Sequence, residues 1–127
     1  MRGERVRSDR VLVVDDDESI RQVVRLCLAD EGYRVFEAPN GLAALENIAD
    51  FQPALILLDL RMPVMDGWEF LRRYRLMPGP HVPIVAFVAG LDPAEECANL
   101  GATKILAKPF DLDDLLTVVR SQLAPAN

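Results

Sequence analysis

The sequence has few of the residues that build disulfide frameworks, zinc sites or membrane segments. Its 127 residues include only two cysteines, Cys27 and Cys97, which cannot supply a disulfide framework or a zinc-ligand spacing. No apolar run approaches the length that crosses a bilayer, and no apolar segment follows the N-terminal arginines as it would in a signal peptide. We therefore expect free thiols, a cytoplasmic location and no membrane insertion.

An excess of positive charge is also absent. The 14 Lys and Arg residues stand against 20 Asp and Glu residues, which gives a net charge of −6 and a pI near 4.7. Direct nucleic-acid binding depends on basic surface that neutralises phosphates, so this composition argues against it. Residues 1–10 are a basic exception, which we interpret as a flexible polar leader, with a nucleic-acid arm as the alternative.

A chain of this length has room for one domain, and half of its residues are apolar, which is enough for a substantial core. Strand-like and helix-like stretches alternate five times along it. This alternation predicts an α/β fold, a doubly wound five-stranded parallel sheet with helices on both faces. We expect the domain to occupy residues 11–123, after the leader at 1–10 and before a short C-terminal tail at 124–127.

The predicted strands are apolar runs, and the second, more polar one suits a sheet edge. They cover Val11–Val14, Arg34–Ala38, Ala54–Leu58, Ile84–Val88 and Lys104–Ala107. Apolar residues at helical spacing predict the inward faces of the first, second, third and last helices. These residues are Ile20, Val23, Val24, Cys27 and Leu28; Leu42, Leu45, Ile48 and Ala49; Trp68, Leu71 and Tyr74; and Leu112, Leu115, Leu116, Val119 and Leu123. A further helix is predicted from an N-cap at Asp92 to a stop at Gly101.

Asp59 ends the third predicted strand, and a loop with proline and glycine follows it. The first predicted strand runs in the same way into Asp15, Asp16, Asp17 and Glu18. Because α/β proteins place their sites at the C-terminal edge of the sheet, we expect Asp15, Asp16 and Asp59 to converge there. Two carboxylates about 5 Å apart repel by roughly 3 kcal/mol at an effective dielectric constant near 20, so the cluster requires a cation, and oxygen ligands suit Mg²⁺. Asp17 and Glu18 are interpreted as caps of the next helix.

Lys108 ends the fifth predicted strand, just before a proline, and therefore lies at the same sheet edge as Asp59. A carboxylate that receives a phosphoryl group needs its own charge and that of the incoming group offset. A Mg²⁺ ion held by neighbouring acids, together with one lysine, can do this. Asp15, Asp16, Asp59 and Lys108 thus form a constellation suited to moving a phosphoryl group onto a carboxylate.

From Arg10 to Leu123 the chain resembles the receiver domain of bacterial two-component response regulators. The motifs that carry the resemblance are the acid pair after the first strand, Leu58-Asp59, Met62-Pro63-x-Met65-Asp66-Gly67 and Lys108-Pro109-Phe110. The resemblance implies a flavodoxin-like (βα)5 fold with strand order 2-1-3-4-5. It also implies a stand-alone signalling module that acts through other proteins.

The resemblance assigns a role to each site residue. Asp59 corresponds to the phosphoacceptor, and Lys108 to the lysine that contacts the phosphoryl group, with a cis bond before the proline that follows it. Asp16 corresponds to a Mg²⁺ ligand, with Asp15 binding directly or through a water, and the backbone carbonyl of Arg61 completes the protein ligands.

The resemblance also implies partners. The donor is the phosphohistidine of a sensor histidine kinase or phosphotransfer protein, and the output is contact with a further protein that the sequence does not identify. The chain is then not an enzyme beyond self-catalysed phosphotransfer and dephosphorylation at Asp59.

Two positions depart from the family pattern. Receivers usually carry a Ser or Thr at the end of strand four and an aromatic residue on strand five, and this chain places Val88 and Ile105 there. No Ser or Thr occurs between Pro83 and Ala102, so a shifted alignment cannot restore the hydroxyl. The usual relay from phosphate to surface is therefore expected to be altered.

Two alternative functions stay open. The missing hydroxyl and aromatic residue favour a degenerate receiver that binds its partner regardless of phosphorylation. The stretch from Asp15 to Ser19 also resembles the start of a haloacid-dehalogenase-type phosphatase, which uses an aspartate nucleophile. Such enzymes need a Ser or Thr after a later strand, which this chain lacks.

Overall fold

A computed structural model describes residues 9–90, 99 and 101–123. The five strands are β1 Arg10–Val14, β2 Arg34–Ala38, β3 Leu55–Asp59, β4 Ile84–Ala89 and β5 Lys104–Lys108. The helices of the described ranges are α1 Glu18–Asp30, α2 Gly41–Phe51, α3 Gly67–Leu76 and α4 Leu112–Leu123. The helix predicted from Asp92 lies outside these ranges, apart from Asn99 and Gly101, and so does Cys97. The predicted limits of leader, domain and tail stay predictions.

All five strands are parallel, and their order is β2-β1-β3-β4-β5. The predicted doubly wound sheet and its strand order are therefore confirmed, and the polar strand β2 lies at a sheet edge as expected. Val14 of β1 pairs with Leu58 of β3, and Asp59 pairs with Phe87 of β4. This register brings the C-terminal ends of the three central strands to one level.

The core consists of two apolar layers, one on each face of the sheet. Every residue of Val11–Val14 and Leu55–Leu58 is buried, and successive side chains alternate between the layers. Helices α2 and α3 cover one layer through Ala44, Ile48, Phe70, Leu71 and Tyr74. Helices α1 and α4 cover the other through Val24, Leu28, Leu115 and Val119. Both faces are thus shielded, as a parallel sheet requires.

Some predicted inward positions were wrong. Val23 is 49% exposed and Leu112 is 42% exposed, although both were assigned to buried helix faces. Adjacent residues on a helix differ by about 100° in direction, so Val24 takes the buried stripe and turns Val23 away from it. Leu42 is exposed because Gly41, Ala44 and Ile48 form the buried side of α2. In α3 the fully buried aromatic residue is Phe70, which was not among the predicted inward positions.

Gly67, the first residue of α3, packs directly against the end of β3. Its amide donates to the Leu60 carbonyl at 2.8 Å, and a Cβ placed on it would lie 2.5 Å from the carbonyl oxygen of Asp59. Any larger residue would push α3 away from the strand end, so this close approach requires glycine. Asp66 caps α3 by accepting from the Glu69 amide at 2.9 Å. The loop after Asp59 is therefore fixed at its far end.

None of the helices in the described ranges combines the length and the apolar character needed to cross a bilayer.

Candidate functional site

The predicted acids meet at the C-terminal edge of the sheet. Asp15 directly follows the last residue of β1 and Asp59 is the last residue of β3, and the two strands are hydrogen-bonded neighbours. One carboxylate oxygen from each of Asp15, Asp16 and Asp59 lies within 4.8 Å of the others. Asp15 is fully buried and Asp59 is 7% exposed, whereas Asp16 is open to solvent. The cluster therefore has a buried base and an exposed rim.

Lys108 reaches this cluster from β5. Its Nζ lies 3.1 Å from Asp59 Oδ1 and 3.3 Å from Asp15 Oδ2. It also lies 6.0 Å from the centre of the ring of Phe87, a residue of β4, which lies between β3 and β5. The Lys108–Pro109 bond is cis, as predicted. The single ammonium group thus bridges both buried carboxylates.

The electrostatics of the site follow from burial. Burial raises the pKa of Asp15, and it raises the pKa of Asp59 together with the charge of Asp15, while hydrogen bonds from the chain and Lys108 offset part of each shift. Burial alone would lower the pKa of Lys108, but the two carboxylates outweigh it and the pKa is raised. Lys108 therefore stays protonated at neutral pH. Three carboxylates against one ammonium group leave an excess of negative charge that a divalent cation can neutralise.

The loop between β1 and α1 is held by several hydrogen bonds. The Asp17 amide donates to Asp15 Oδ1 at 2.9 Å, and the Asp15 amide donates to the Ala38 carbonyl at 3.1 Å. Asp17 caps α1 by accepting from the amides of Ser19 and Ile20, which confirms the capping interpretation of this residue. The cap leaves Asp15 and Asp16 as the residues of the loop that can face a metal ion.

Two charged residues near this loop were not predicted from the sequence: Arg21, which contacts the loop, and Glu37, which contacts Arg21. Arg21 Nη1 donates to the Asp15 carbonyl at 2.7 Å, and Arg21 Nε pairs with Glu37 Oε1 at 3.2 Å. The one unusual feature in the sequence was Glu37, a charged residue at the next-to-last position of strand β2. Nothing in the sequence linked that glutamate to an arginine on α1.

The two atypical positions lie close to the site. Ile105 pairs with Ala86, and Val88 pairs with Ala107 on the neighbouring strand. Both side chains are partly buried against a small apolar cluster of Leu60, Ala86 and Ala102, together with Trp68. This cluster adjoins Asp59 through Leu60. It offers packing where the family pattern has a hydroxyl group and a mobile aromatic ring.

The donor set fits a hard divalent cation. Carboxylate and carbonyl oxygens are the ligands that Mg²⁺ prefers. The raised pKa values of the two buried acids show that their negative charges are unfavourable here, and a bound cation would offset those charges. Arg61 follows Asp59 by two residues, so its backbone carbonyl belongs to the same loop. Its role as a ligand stays a prediction.

Comparison with known proteins identifies the family. Residues 11–120 match the response regulator receiver domain family. The chain is 38% identical over 117 residues to sporulation initiation phosphotransferase F of Bacillus subtilis, which covers 91% of this chain and 94% of that protein. It is 42% identical over 118 residues to response regulator MprA of Mycobacterium ulcerans, covering 91% of this chain and 50% of MprA. The chain thus spans about half the length of the MprA relatives.

Solved structures agree with this. The chemotaxis response regulator CheY4 of Vibrio cholerae superposes with a TM-score of 0.82 at 36% identity, over 88% of this chain and 96% of that one. The receiver domain of the sensor histidine kinase PA1611 of Pseudomonas aeruginosa superposes with a TM-score of 0.83 at 31% identity, over 92% and 98%. That structure has a magnesium ion coordinated in its active-site cleft.

The chain belongs to the receiver domain family of two-component response regulators. Members of this family are signalling domains rather than classical enzymes, which argues against the phosphatase alternative. They bind Mg²⁺ in an acidic pocket and interact with histidine kinases or phosphotransfer proteins.

Proposed function

We propose that this receiver accepts a phosphoryl group on Asp59 in a Mg²⁺-dependent transfer. The donor is the phosphohistidine of a sensor histidine kinase or phosphotransfer protein, and we place the exchange in the cytoplasm. The observation that supports this most directly is the ammonium group of Lys108, 3.1 Å from Asp59 and 3.3 Å from Asp15. It provides a fixed positive charge beside the one acid that ends the central strand β3.

In the proposed transfer a carboxylate oxygen of Asp59 attacks the phosphorus atom. A P–O bond forms, the P–N bond to the donor imidazole breaks, and its electron pair stays on the nitrogen. Lys108 attracts the phosphoryl oxygens and offsets their charge as the acyl phosphate forms. Later attack by water on phosphorus returns the Asp59 carboxylate and inorganic phosphate. This is the self-catalysed dephosphorylation expected of such a site.

The metal is assigned to the open side of the cluster. We propose that Asp16, the backbone carbonyl of Arg61, and Asp15 directly or through a water hold Mg²⁺. When bound, the ion offsets the negative charge that gathers on the phosphoryl group. Asp15 also has a second role: its buried carboxylate pairs with Lys108 and keeps the ammonium group oriented toward Asp59.

The test is labelling with a small phosphodonor such as acetyl phosphate, followed by intact mass and peptide mapping. One phosphoryl group is expected on Asp59 in the presence of Mg²⁺, and none after addition of EDTA. Labelling at another residue would overturn the assignment. Undiminished labelling with EDTA would remove the metal from the mechanism.

An exposed apolar groove beside Lys108 is the proposed docking surface for the donor protein. It has a volume of about 560 Å³ and lies between α1 and the start of α4. It is lined by Ser19, Ile20, Val23, Val24, Ala89, Lys108, Pro109, Phe110 and Leu112. Lys108 belongs to both the groove and the acid cluster, so a protein seated in the groove lies next to Asp59. This is where a phosphohistidine must arrive.

A charge placed in the groove is therefore expected to block protein donors and leave small ones unaffected. Val23→Glu should slow transfer from a histidine kinase that labels the wild-type chain by at least tenfold, because it puts a carboxylate on the apolar surface. Labelling by acetyl phosphate should stay within twofold of wild type. Leu76→Glu is the control, since Leu76 is exposed on α3 outside the groove. Equal slowing by both variants would contradict the docking proposal.

A second candidate function is a binding module that works without phosphorylation. The apolar cluster around Val88 and Ile105 supports it, because Val88 offers the phosphoryl group no hydrogen bond and Ile105 has no ring to reorient. A ligand shifts a conformational equilibrium only by its differential affinity for the two states. In such a module, a phosphoryl group on Asp59 would not alter the surface that binds the partner.

Beryllofluoride, which mimics the phosphoryl group, separates the two functions by backbone amide NMR. We expect shifts confined to residues around Asp15, Asp59 and Lys108, with little change along α4. Shifts spread along α4 would show that a relay operates through other residues. The phosphorylation-independent module would then be the wrong assignment.

A further inference from the structure

Three charged side chains form a cluster beside the acid loop, which is the segment of residues 15–17 between β1 and α1. Arg21 and Arg25 lie one turn apart on α1, and Glu37 lies on the edge strand β2. Glu37 binds both arginines, with Oε1 3.2 Å from Arg21 Nε and Oε2 2.6 Å from Arg25 Nε. Arg21 is the deeper of the two, with 15% of its side chain exposed against 40% for Arg25.

Arg21 differs from Arg25 in a second contact. Its Nη1 donates to the carbonyl oxygen of Asp15 at 2.7 Å, while Nε stays with Glu37. The guanidinium therefore connects the edge strand to the backbone of the acid loop. Arg is suited to this role because its donors point in fixed directions from one plane.

We infer that Arg21 is a positioning residue for the Mg²⁺ site, and that Glu37 fixes its guanidinium in place. This inference rests on the metal site proposed above. It concerns two residues that contact no carboxylate of the metal site, since Arg21 reaches only the backbone carbonyl of Asp15, and it goes beyond the phosphoacceptor role of Asp59.

The physical argument concerns one peptide group. The carbonyl that accepts from Arg21 belongs to the peptide group that joins Asp15 to Asp16. The orientation of this peptide group therefore affects the direction of both acid side chains. The Asp15 carboxylate has other restraints, from the Asp17 amide and from Lys108. Asp16 is exposed, so the direction of its carboxylate depends mainly on this peptide plane. Groups that orient metal ligands typically change metal affinity by about 10- to 100-fold when removed.

Charge and positioning predict opposite results here. A guanidinium near a metal site repels the cation, so removing Arg21 should strengthen Mg²⁺ binding if charge alone matters. If Arg21 positions the loop, its removal should weaken Mg²⁺ binding despite the lost repulsion. The sign of the change therefore decides between the two.

The experiment is calorimetric titration of the full chain with MgCl₂ at constant ionic strength. Arg21→Ala is expected to weaken Mg²⁺ binding about tenfold. Arg25→Ala is the matched control, because it removes the same side chain from the same helix and the same partner but no contact to Asp15. Its affinity should stay within twofold of wild type. Arg21→Lys keeps the positive charge and a single donor nitrogen, and should recover part of the loss.

Glu37→Gln tests the second half of the inference. It should weaken Mg²⁺ binding in the wild-type background and change nothing further in the Arg21→Ala background, because Glu37 acts through Arg21. Independent effects of the two changes would remove Glu37 from the role. Thermal unfolding in EDTA checks that every variant is folded, and Arg21→Gln replaces Arg21→Ala if the latter is not.

The outcomes separate this inference from the proposed function. Wild-type protein that binds Mg²⁺, with Arg21→Ala binding equally or more tightly, would overturn the positioning role alone. Wild-type protein that binds no Mg²⁺ would overturn the proposed metal site and the inference with it.

Discussion

Asp59→Asn is expected to abolish phosphoryl labelling and, in the same protein without metal, to raise the melting temperature. The amide has the shape of the carboxylate but is a poor nucleophile, so acetyl phosphate and Mg²⁺ should add no phosphoryl group by intact mass. Asp66→Asn is the control, since it makes the same change at the other end of the loop, where asparagine also caps a helix. Labelling of Asp66→Asn should be unchanged.

The gain in stability follows from the repulsion inside the acid cluster. Acid oxygens of Asp15, Asp16 and Asp59 lie within 4.8 Å of one another, a distance at which two like charges repel by about 3 kcal/mol at an effective dielectric constant near 20. Lys108 offsets a part of this. We expect Asp59→Asn to stabilise the metal-free protein by about 1–2 kcal/mol, or about 5 °C in melting temperature.

The pH dependence has a definite sign. Burial and the charge of Asp15 raise the pKa of Asp59 in the folded protein above 3.8, its ordinary value. The folded state therefore holds this proton more tightly than the unfolded state, and stability falls as pH rises from about 4 through the raised pKa. The advantage of Asp59→Asn should be greatest at neutral pH and shrink toward pH 4. An advantage that grows on acidification would contradict this account of the site.

Much of this fold could be predicted because its signals are local. The central strands are apolar runs that end at acids, and the structure places their ends within a residue of the prediction. Parallel strands share a C-terminal edge, so residues that end strands must meet. Asp15, Asp59 and Lys108 lie together for this reason, although they are far apart in the chain.

The parts that sequence did not predict depend on contacts between distant elements. Val23 and Val24 are equally apolar, and only the packing of α1 on the sheet decides which one is buried. Arg21 and Glu37 meet because α1 crosses β2, and neither position has a pattern of its own. The contact of Gly67 with the Asp59 carbonyl is likewise a matter of distance, which a turn motif does not specify.

Lys108→Ala is expected to slow phosphorylation of Asp59 about 100-fold, the cost typical of removing one fixed group that stabilises developing charge. Lys104→Ala is a close control. Both lysines lie on β5, four residues apart and hence on the same face of the sheet, but Lys104 is exposed at the opposite edge. Labelling by acetyl phosphate, followed over time by intact mass, measures both variants.

The same change is expected to destabilise the metal-free protein. Without Lys108, the buried carboxylates of Asp15 and Asp59 lose their cation, and breaking a buried pair of this kind costs about 3 kcal/mol. Lys104→Ala should cost much less. Where Lys108→Ala does not fold, Lys108→Met keeps an unbranched apolar side chain beside Phe87 and removes the charge.

The affinity for Mg²⁺ is expected to rise when Lys108 is replaced. The ammonium group of Lys108 and a bound Mg²⁺ compete for the same carboxylates, so Lys108→Ala or Lys108→Met should bind Mg²⁺ several-fold more tightly than wild type. Mg²⁺ should also restore much of the lost stability, because it binds only the folded state. Phosphorylation then falls while metal affinity rises, which loss of the metal site could not produce. Equal effects of Lys104→Ala and Lys108→Ala on labelling would show that Lys108 has no special place beside Asp59.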